Sequence, residues 1–284
     1  MMLSVIIINY NTPAQVKQAV SSIYSYITTL TFEIIVVDNG SVQKPIEEGL
    51  LSFPEVHVIK SKENLGFGRA NNLGFEHAIG DYVFLLNSDA YLMDSLSVPA
   101  MIIYLEQHKD VGIVGPNFLK KDGSKNYAYG NLLGLRKMIH DMGYWKIPKC
   151  KEDDYATFKV CDVTTPKVVG YLAAAGIIIK RTMIEKYGLF DPKFFLYFED
   201  MELGWRYSNA GFKSVLFPQS AVIHLGGGSS GTNNPEILRH IVMSKKYYLK
   251  KTLGGFNYAL IRFLEVVMHF FKSIKSVFKQ GSLN

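Results

Sequence analysis

An α/β fold on a mostly parallel sheet, with crossover helices on both faces, is predicted for this chain by three observations. Short β-branched runs alternate with helical stretches through its first third. A polar loop follows three of those runs, and 48% of the 284 residues are hydrophobic, enough to bury a sizeable core.

In chain order, residues 4–8 read as the first strand and Pro13 opens a helix, since a threonine followed by proline suits a helix start. Residues 33–37 form the second strand and a helix falls near 45–51. A third strand at 56–59 precedes a helix from Gly66, and 82–86 form a fourth strand. Further on, residues 170–176 are small and lead into the β-branched run 177–179. Small side chains there either leave room for a ligand or serve tight strand packing. Residues 122–168 are polar and irregular, with Trp145, Pro148 and a charge cluster at 149–154, and fit a loop over an acceptor.

The net charge of +6 is unevenly placed. Residues 239–284 hold nine basic side chains against Glu265 alone, a net +8, so the other 238 residues sum to −2. A nucleic-acid-binding surface over the whole molecule is therefore not supported. In this tail Phe256, Leu260, Phe263, Leu264, Val267, Phe270, Phe271, Ile274, Val277 and Phe278 recur at spacings of three and four. They predict a basic amphipathic helix, interrupted by Arg262, Glu265 and Lys272, that lies in the interface of an anionic membrane instead of spanning it. Packing on the body or on a second subunit, as in a homodimer, is the alternative. The lysines at 245–251 favour the membrane.

Only Cys150 and Cys161 occur, with no metal-ligand spacing, which argues against a disulfide framework and a zinc site. The apolar run Val5 to Ile8 has no basic residue ahead of it and does not resemble a secretory signal, so the expectation is a cytoplasmic protein.

In parallel sheets ligands bind beyond the carboxyl ends of the strands. There the sequence places Asn9-Tyr10-Asn11-Thr12, then Asp38-Asn39-Gly40-Ser41, then Asn87-Ser88-Asp89. The segment from Glu63 to Gly74 contains a GxG turn, but Asn71 stands where a dinucleotide fingerprint has its third glycine, and the segment follows the third strand. A nicotinamide enzyme is thus a distant alternative. Glycine-rich backbone with Arg69 at a helix start can still hold a diphosphate, and no P-loop sequence occurs. Glu199-Asp200, set among Phe195, Tyr197, Phe198 and Trp205 at a helix start, can supply a general base, because an apolar cage raises a carboxyl's proton affinity. Acids at a helix start also favour its dipole without any catalytic role.

Taken in order, the loops at 9–12, 38–41, 63–72 and 87–90, the run 171–181, the aromatic acid segment 194–206 and His224 ahead of Gly226-Gly227-Gly228-Ser229 resemble the family 2 glycosyltransferases over residues 3–230, and within them bacterial rhamnosyltransferases. The resemblance implies a GT-A fold with a Rossmann-like sheet: a nucleotide-binding part at about 1–116, an acceptor part at about 117–238, and a basic helical extension at 239–284. It further implies contacts to the nucleotide from Asn9, Tyr10, Asn11, Thr12, Asp38, Asn64, Gly66, Arg69, Asn71, Asn87 and Ser88. Asn87-Ser88-Asp89 resembles the family's DXD motif with asparagine in place of its first acid, leaving Asp89 and His224 to hold Mg2+ or Mn2+. A satisfied histidine at a strand end is the plainer reading of His224.

Ala174, Ala175 and Gly176 would lie under the donor sugar and acceptor. Asp200 matches the family's general base, and Glu199 would bind the acceptor or position Asp200. Glu202 reads as the partner of Arg206 one turn on, worth ~0.3 kcal/mol. The reaction implied is inverting transfer of L-rhamnose from dTDP-L-rhamnose to a polyprenyl-diphosphate-linked saccharide at the inner face of the membrane, in O-antigen or capsule assembly. A UDP sugar donor, either galactofuranose or GlcNAc, is the nearer alternative. A nucleotidyltransferase, whose basic glycine-rich loop after the first strand is missing here, and a non-catalytic sugar-nucleotide-binding protein are more remote.

Overall fold

The early β-branched runs become neighbouring strands. The computed structural model describes residues 1–43, 46, 53–135, 159–226 and 234–281, with 268–281 described by backbone alone. Strands β1 (Met2–Asn9), β2 (Thr31–Asn39), β3 (Val56–Ser61) and β4 (Tyr82–Leu86) lie in the order β3-β2-β1-β4, every pair parallel. Helix α1 (Pro13–Tyr26) follows β1 and helix α2 (Phe67–His77) follows β3. Val5, Ile6 and Ile7 are consecutive and fully buried, as are Ile34 to Val37, which is the mark of a sheet covered on both faces. The helix expected near 45–51 falls largely outside the described residues.

The sheet then departs from the parallel rule. After β5 (Ala90–Leu92) and α3 (Ser97–Gln107) come β6 (Val111–Leu119), β7 (Tyr127–Gly130), β8 (Lys159–Val160), β9 (Lys167–Val169), β10 (Tyr171–Leu172), β11 (Gly176–Lys180), α4 (Arg181–Tyr187), α5 (Glu199–Asn209), β12 (Lys213–His224) and α6 (Pro235–Gly281). The large sheet continues from β4 through β11, β6 and β12 to β5. In it β11 runs antiparallel to both neighbours, while β12 is parallel to β6 and antiparallel to β5 and β9. A small sheet, β10-β7-β8, lies apart from it.

The segment 170–180 therefore serves two sheets, with a turn at Ala174 and Ala175 between them. Gly176 is small for a packing reason: a Cβ there would meet the Phe118 ring at 2.9 Å. Cys161 is a buried free thiol, and Cys150, Trp145 and the 149–154 charge cluster lie outside the described residues.

Helix α6 is kinked at Gly254, whose φ of +75° suits a residue without a Cβ. Before the kink it packs on the body. Tyr248 and Leu249 are buried in a cluster with Tyr171, Phe194 and Met201, and the Ser244 hydroxyl donates to the Leu196 carbonyl at 3.0 Å. Lys251, read in the sequence with the membrane-facing charges, instead pairs with Asp191 at 2.6 Å and Glu202 at 2.7 Å. Lys245, Lys246 and Lys250 are exposed. After the kink Ile261 is buried, whereas Phe256, Leu260, Phe263 and Val266 are exposed at helical spacing. No helix among the described residues is long and apolar enough to cross a membrane.

Candidate active site

The parallel strands end in a set of interlocked polar side chains. Register places Asn9 of β1 beside Asp38 of β2, both buried, and the Asn9 amide donates to Asp38 Oδ1 and to Ser41 Oγ, each at 3.0 Å. Thr12 holds the N-cap position of α1, but its hydroxyl makes no cap bond. It donates to Ser88 Oγ at 3.1 Å, and the Thr12 backbone N–H donates to Asn9 Oδ1 at 3.1 Å. Asn11, at φ +60°, accepts the Gln43 N–H. Asn9, Asn11 and Asp38 thus shape the loop scaffold through hydrogen bonds that water would otherwise make.

A second scaffold holds the glycine-rich turn. The Asn39 amide donates to Asn64 Oδ1 at 3.0 Å and the Gly66 carbonyl at 3.2 Å, and its oxygen accepts the Leu65 N–H at 2.8 Å. Gly66 has φ +78°, and a Cβ there would strike the Phe195 carbonyl oxygen at 2.1 Å, so only glycine fits. The Phe67 N–H donates to that carbonyl at 2.9 Å, fastening the turn to the segment that leads into the acid pair. Arg69 Nε donates to the Leu65 carbonyl, and the Asn71 amide, buried, donates to the Phe67 carbonyl. Both side chains brace α2 and its approach.

Asn87 and Ser88 follow β4, and the Asn87 N–H donates to the Ala175 carbonyl at 3.0 Å, tying this loop to the alanine turn. His224 Nε2 lies 3.4 Å from Asp89 Oδ1. Burial opposes charge on Asp89, but the hydrogen bond and charge of His224 outweigh it and hold the carboxyl below its ordinary value. The Asn126 amide donates to the His224 carbonyl at 2.8 Å, and His224 Nδ1 is buried without a partner among the described residues. A carboxylate oxygen and an imidazole nitrogen this close suit a shared divalent cation. Among the described residues no group of three or more His, Cys, Asp or Glu side chains gathers around one point, so a diphosphate would have to supply further oxygen ligands.

Glu199 and Asp200 open α5, preceded by Tyr197 (φ +67°) and Phe198 (φ +69°). Among the described residues only these two and Asn11 are non-glycine residues at positive φ, and all three stand in loops singled out for chemistry. Such backbone is costly for residues with a Cβ and persists where the surroundings enforce it. Glu199 is buried with Oε2 unpaired among the described residues, while Asp200 is partly exposed and accepts the Met201 N–H at 2.7 Å. Burial raises the proton affinity of both carboxyls, and the neighbouring Asp200 charge raises Glu199 further.

Glu202 lies in the same first turn and is fully buried, yet Arg206 at 2.9 Å and Lys251 at 2.7 Å both neutralise it. Arg206 also donates to the carbonyls of Tyr187, Gly188 and Leu189. The ~0.3 kcal/mol of an exposed helix pair therefore understates a buried network whose loss of one partner strands a charge.

These loops surround a cleft of about 270 Å³. Of the residues singled out in the sequence, Tyr10, Thr12, Asn64, Gly66, Asn87, Ser88 and Asp89 line it. Asn9, Asn11, Asp38, Arg69, Asn71, Ala174, Ala175, Gly176, Glu199, Asp200 and His224 do not. They support the loops or stand beside them. Asn39 was placed in a crevice loop but given no role, and sequence reasoning missed Asn234, Glu236, Ile237 and His240, where the start of α6 forms a wall. The His240 ring stacks on Phe195 at 4.3 Å between centroids and 23° between planes. The i, i+4 spacing of Glu236 and His240 was visible, but nothing local ties it to the loops that follow the parallel strands.

Known proteins agree with this architecture. The chain is 25% identical over 243 residues to the N-acetylglucosaminyl-diphospho-decaprenol L-rhamnosyltransferase of Mycobacterium tuberculosis, covering 81% of this chain and 78% of that one. It is 22% identical over 202 residues to the dTDP-rhamnosyl transferase RfbF of Shigella flexneri, covering 69% and 61%. Among solved structures, GalNAc-T7 with UDP, GalNAc and Mn2+ superposes with a TM-score of 0.59 at 17% identity, over 88% of this chain and half the length of that one. The mannosyltransferase PcManGT of Pyrobaculum calidifontis with GDP-Man and Mn2+ superposes with a TM-score of 0.55 at 15% identity, over 94% and 69%. These likenesses show the GT-A fold. The model of Glycosyl transferase family 2 matches residues 4–187, and the chain belongs to that family of enzymes.

Proposed function

We propose that this glycosyltransferase moves L-rhamnose from dTDP-L-rhamnose to a hydroxyl of a polyprenyl-diphosphate-linked saccharide, with inversion, in the assembly of a bacterial surface polysaccharide such as an O antigen. The observation that carries the reaction class is the acid pair Glu199-Asp200, raised in proton affinity and following closely in the chain on Phe195 and Leu196, which line the cleft. Asp200 takes the proton of the acceptor hydroxyl as its oxygen bonds to the anomeric carbon. The bond from that carbon to the diphosphate breaks on the opposite face, and the nucleoside diphosphate leaves with the electron pair. Glu199 positions Asp200. The loops of Asn9 to Thr12, Asp38, Asn64 to Asn71 and Asn87-Ser88 form the nucleotide side, and the turn at Ala174 to Gly176 lies on the sugar side. Asp89 and His224 would hold Mg2+ or Mn2+, which neutralises charge on the leaving diphosphate when bound.

The rhamnose assignment rests on the two relatives named for that sugar, and the lipid-linked acceptor on the decaprenol named in one of them. A site at the inner face of the membrane fits the exposed stripe Phe256, Leu260, Phe263 and Val266, with Lys245, Lys246 and Lys250 on the same helix. We read residues 1–116 and 117–238 as the nucleotide and acceptor parts, with 239–284 as the membrane-facing extension.

The test is slow hydrolysis of a donor panel: dTDP-L-rhamnose, dTDP-glucose, UDP-galactofuranose, UDP-GlcNAc and GDP-mannose, with and without Mn2+. Preferential, metal-strengthened use of dTDP-L-rhamnose is expected. Preference for a UDP sugar would keep the family and overturn the donor.

A further inference from the structure

The cleft is lined by hydroxyls, amides, apolar side chains and two carboxylates. Tyr10, Thr12, Asn39, Asn64, Asn87 and Ser88 are neutral, and Asp89 and Glu236 are acids. No lysine or arginine is among the described lining residues, and Arg69, the cation nearest in sequence to the glycine-rich turn, spends its Nε on the Leu65 carbonyl. Among the described lining residues His240 is the one side chain able to carry positive charge, and its ring is oriented by the stack on Phe195. The Phe195 carbonyl accepts the Phe67 N–H at the start of α2, so the imidazole, its stacking partner and the glycine-rich turn are joined in one assembly. A donor's diphosphate carries concentrated negative charge and gains more on departure, and hydrogen bonds to an ionised acceptor are roughly twice as strong as neutral ones.

We infer that His240, on the C-terminal helix, binds the diphosphate of the donor and of the departing nucleoside diphosphate. This rests on the nucleotide-sugar reading above and adds a residue to it. The imidazole donates an N–H to a diphosphate oxygen, so the wall formed by α6 belongs to the donor site. The same helix is anchored one and three turns later by Ser244 and Lys251 to the acid-pair side of the molecule, which fixes where the imidazole stands.

The experiment is a phosphate ladder. Affinities of dTDP, dTMP and thymidine, with UDP, UMP and uridine in parallel, are measured by calorimetry with Mg2+ present for the wild type, His240→Ala and His240→Gln. His240 is only half-buried, so both variants should fold, and their thermal midpoints verify it. The wild type should favour the diphosphate over the monophosphate, His240→Ala should cut that preference about tenfold with nucleoside affinity unchanged, and His240→Gln should fall between. Equal losses across all three rungs would place His240 on the base and overturn the inference, as would an unchanged diphosphate preference. A wild type that shows no diphosphate preference at all would overturn the donor-site reading itself and this inference with it.

Discussion

Three acidic side chains share the first turn of α5, and they live in opposite electrostatic surroundings. Glu202 is fully buried, but Arg206 and Lys251 close on it, so its charge is matched. Glu199 is buried with a carboxylate oxygen unpaired among the described residues, and Asp200 stands next to it supported by the backbone N–H groups of Met201 and of Asp200 itself. Counter-ions turn a buried carboxylate into a structural tie, and their absence turns one into a proton acceptor. The tie also joins the C-terminal helix to the helix that carries the acid pair, because Lys251 bonds Glu202 and Asp191 together.

Substitutions can break this contrast from either side. The largest expected effect is from Asp200→Asn, which removes the proposed base while keeping its shape: turnover should fall by about 10²–10⁴-fold with donor affinity retained, measured by steady-state transfer and calorimetry. Lys251→Met strips one counter-ion from Glu202 and Asp191, and should destabilise the fold by about 2–3 kcal/mol in denaturant unfolding. Glu199→Gln should act in the opposite sense and stabilise. A carboxyl whose folded proton affinity is raised contributes stability that is present below its unfolded pKa and lost as pH rises through the folded one. Near pH 7 the neutral glutamine should therefore raise the thermal midpoint, by about 2–4 °C for each kcal/mol gained, and the difference should vanish below pH ~4. A Glu199→Gln protein less stable than wild type at pH 7 would erase the distinction between the two kinds of acid.

The sheet was legible because its signal is local. Runs such as Val5 to Ile8 and Ile34 to Val37 declare buried strands, and the polar residues that follow them declare the ligand end. The order of the motifs was likewise legible, and with it the family. What the sequence concealed were meetings between distant segments. Lys251 reads as one more basic residue of an amphipathic tail, and only its approach to Glu202 and Asp191 shows a neutralising role. His240 reads as a helix surface residue until Phe195 lies under its ring. Asn9, Asp38 and Asn71 read in the sequence as nucleotide contacts, yet their side chains are spent on neighbouring backbone and side chains and do not line the cleft. Spacing gives the face of an element but not which partner arrives from elsewhere in the chain.

The measurement that most directly tests the central claim, that an acid pair without counter-ions supplies the base, is the pH dependence of kcat/KM for transfer by the wild-type enzyme. The base must be deprotonated to act, so the rate should fall as pH drops through its pKa. Burial places that acidic limb above the range of an ordinary aspartate near pH ~4. An acidic limb at or below pH ~4 would contradict the account, since it would show a carboxylate whose proton affinity burial has not raised.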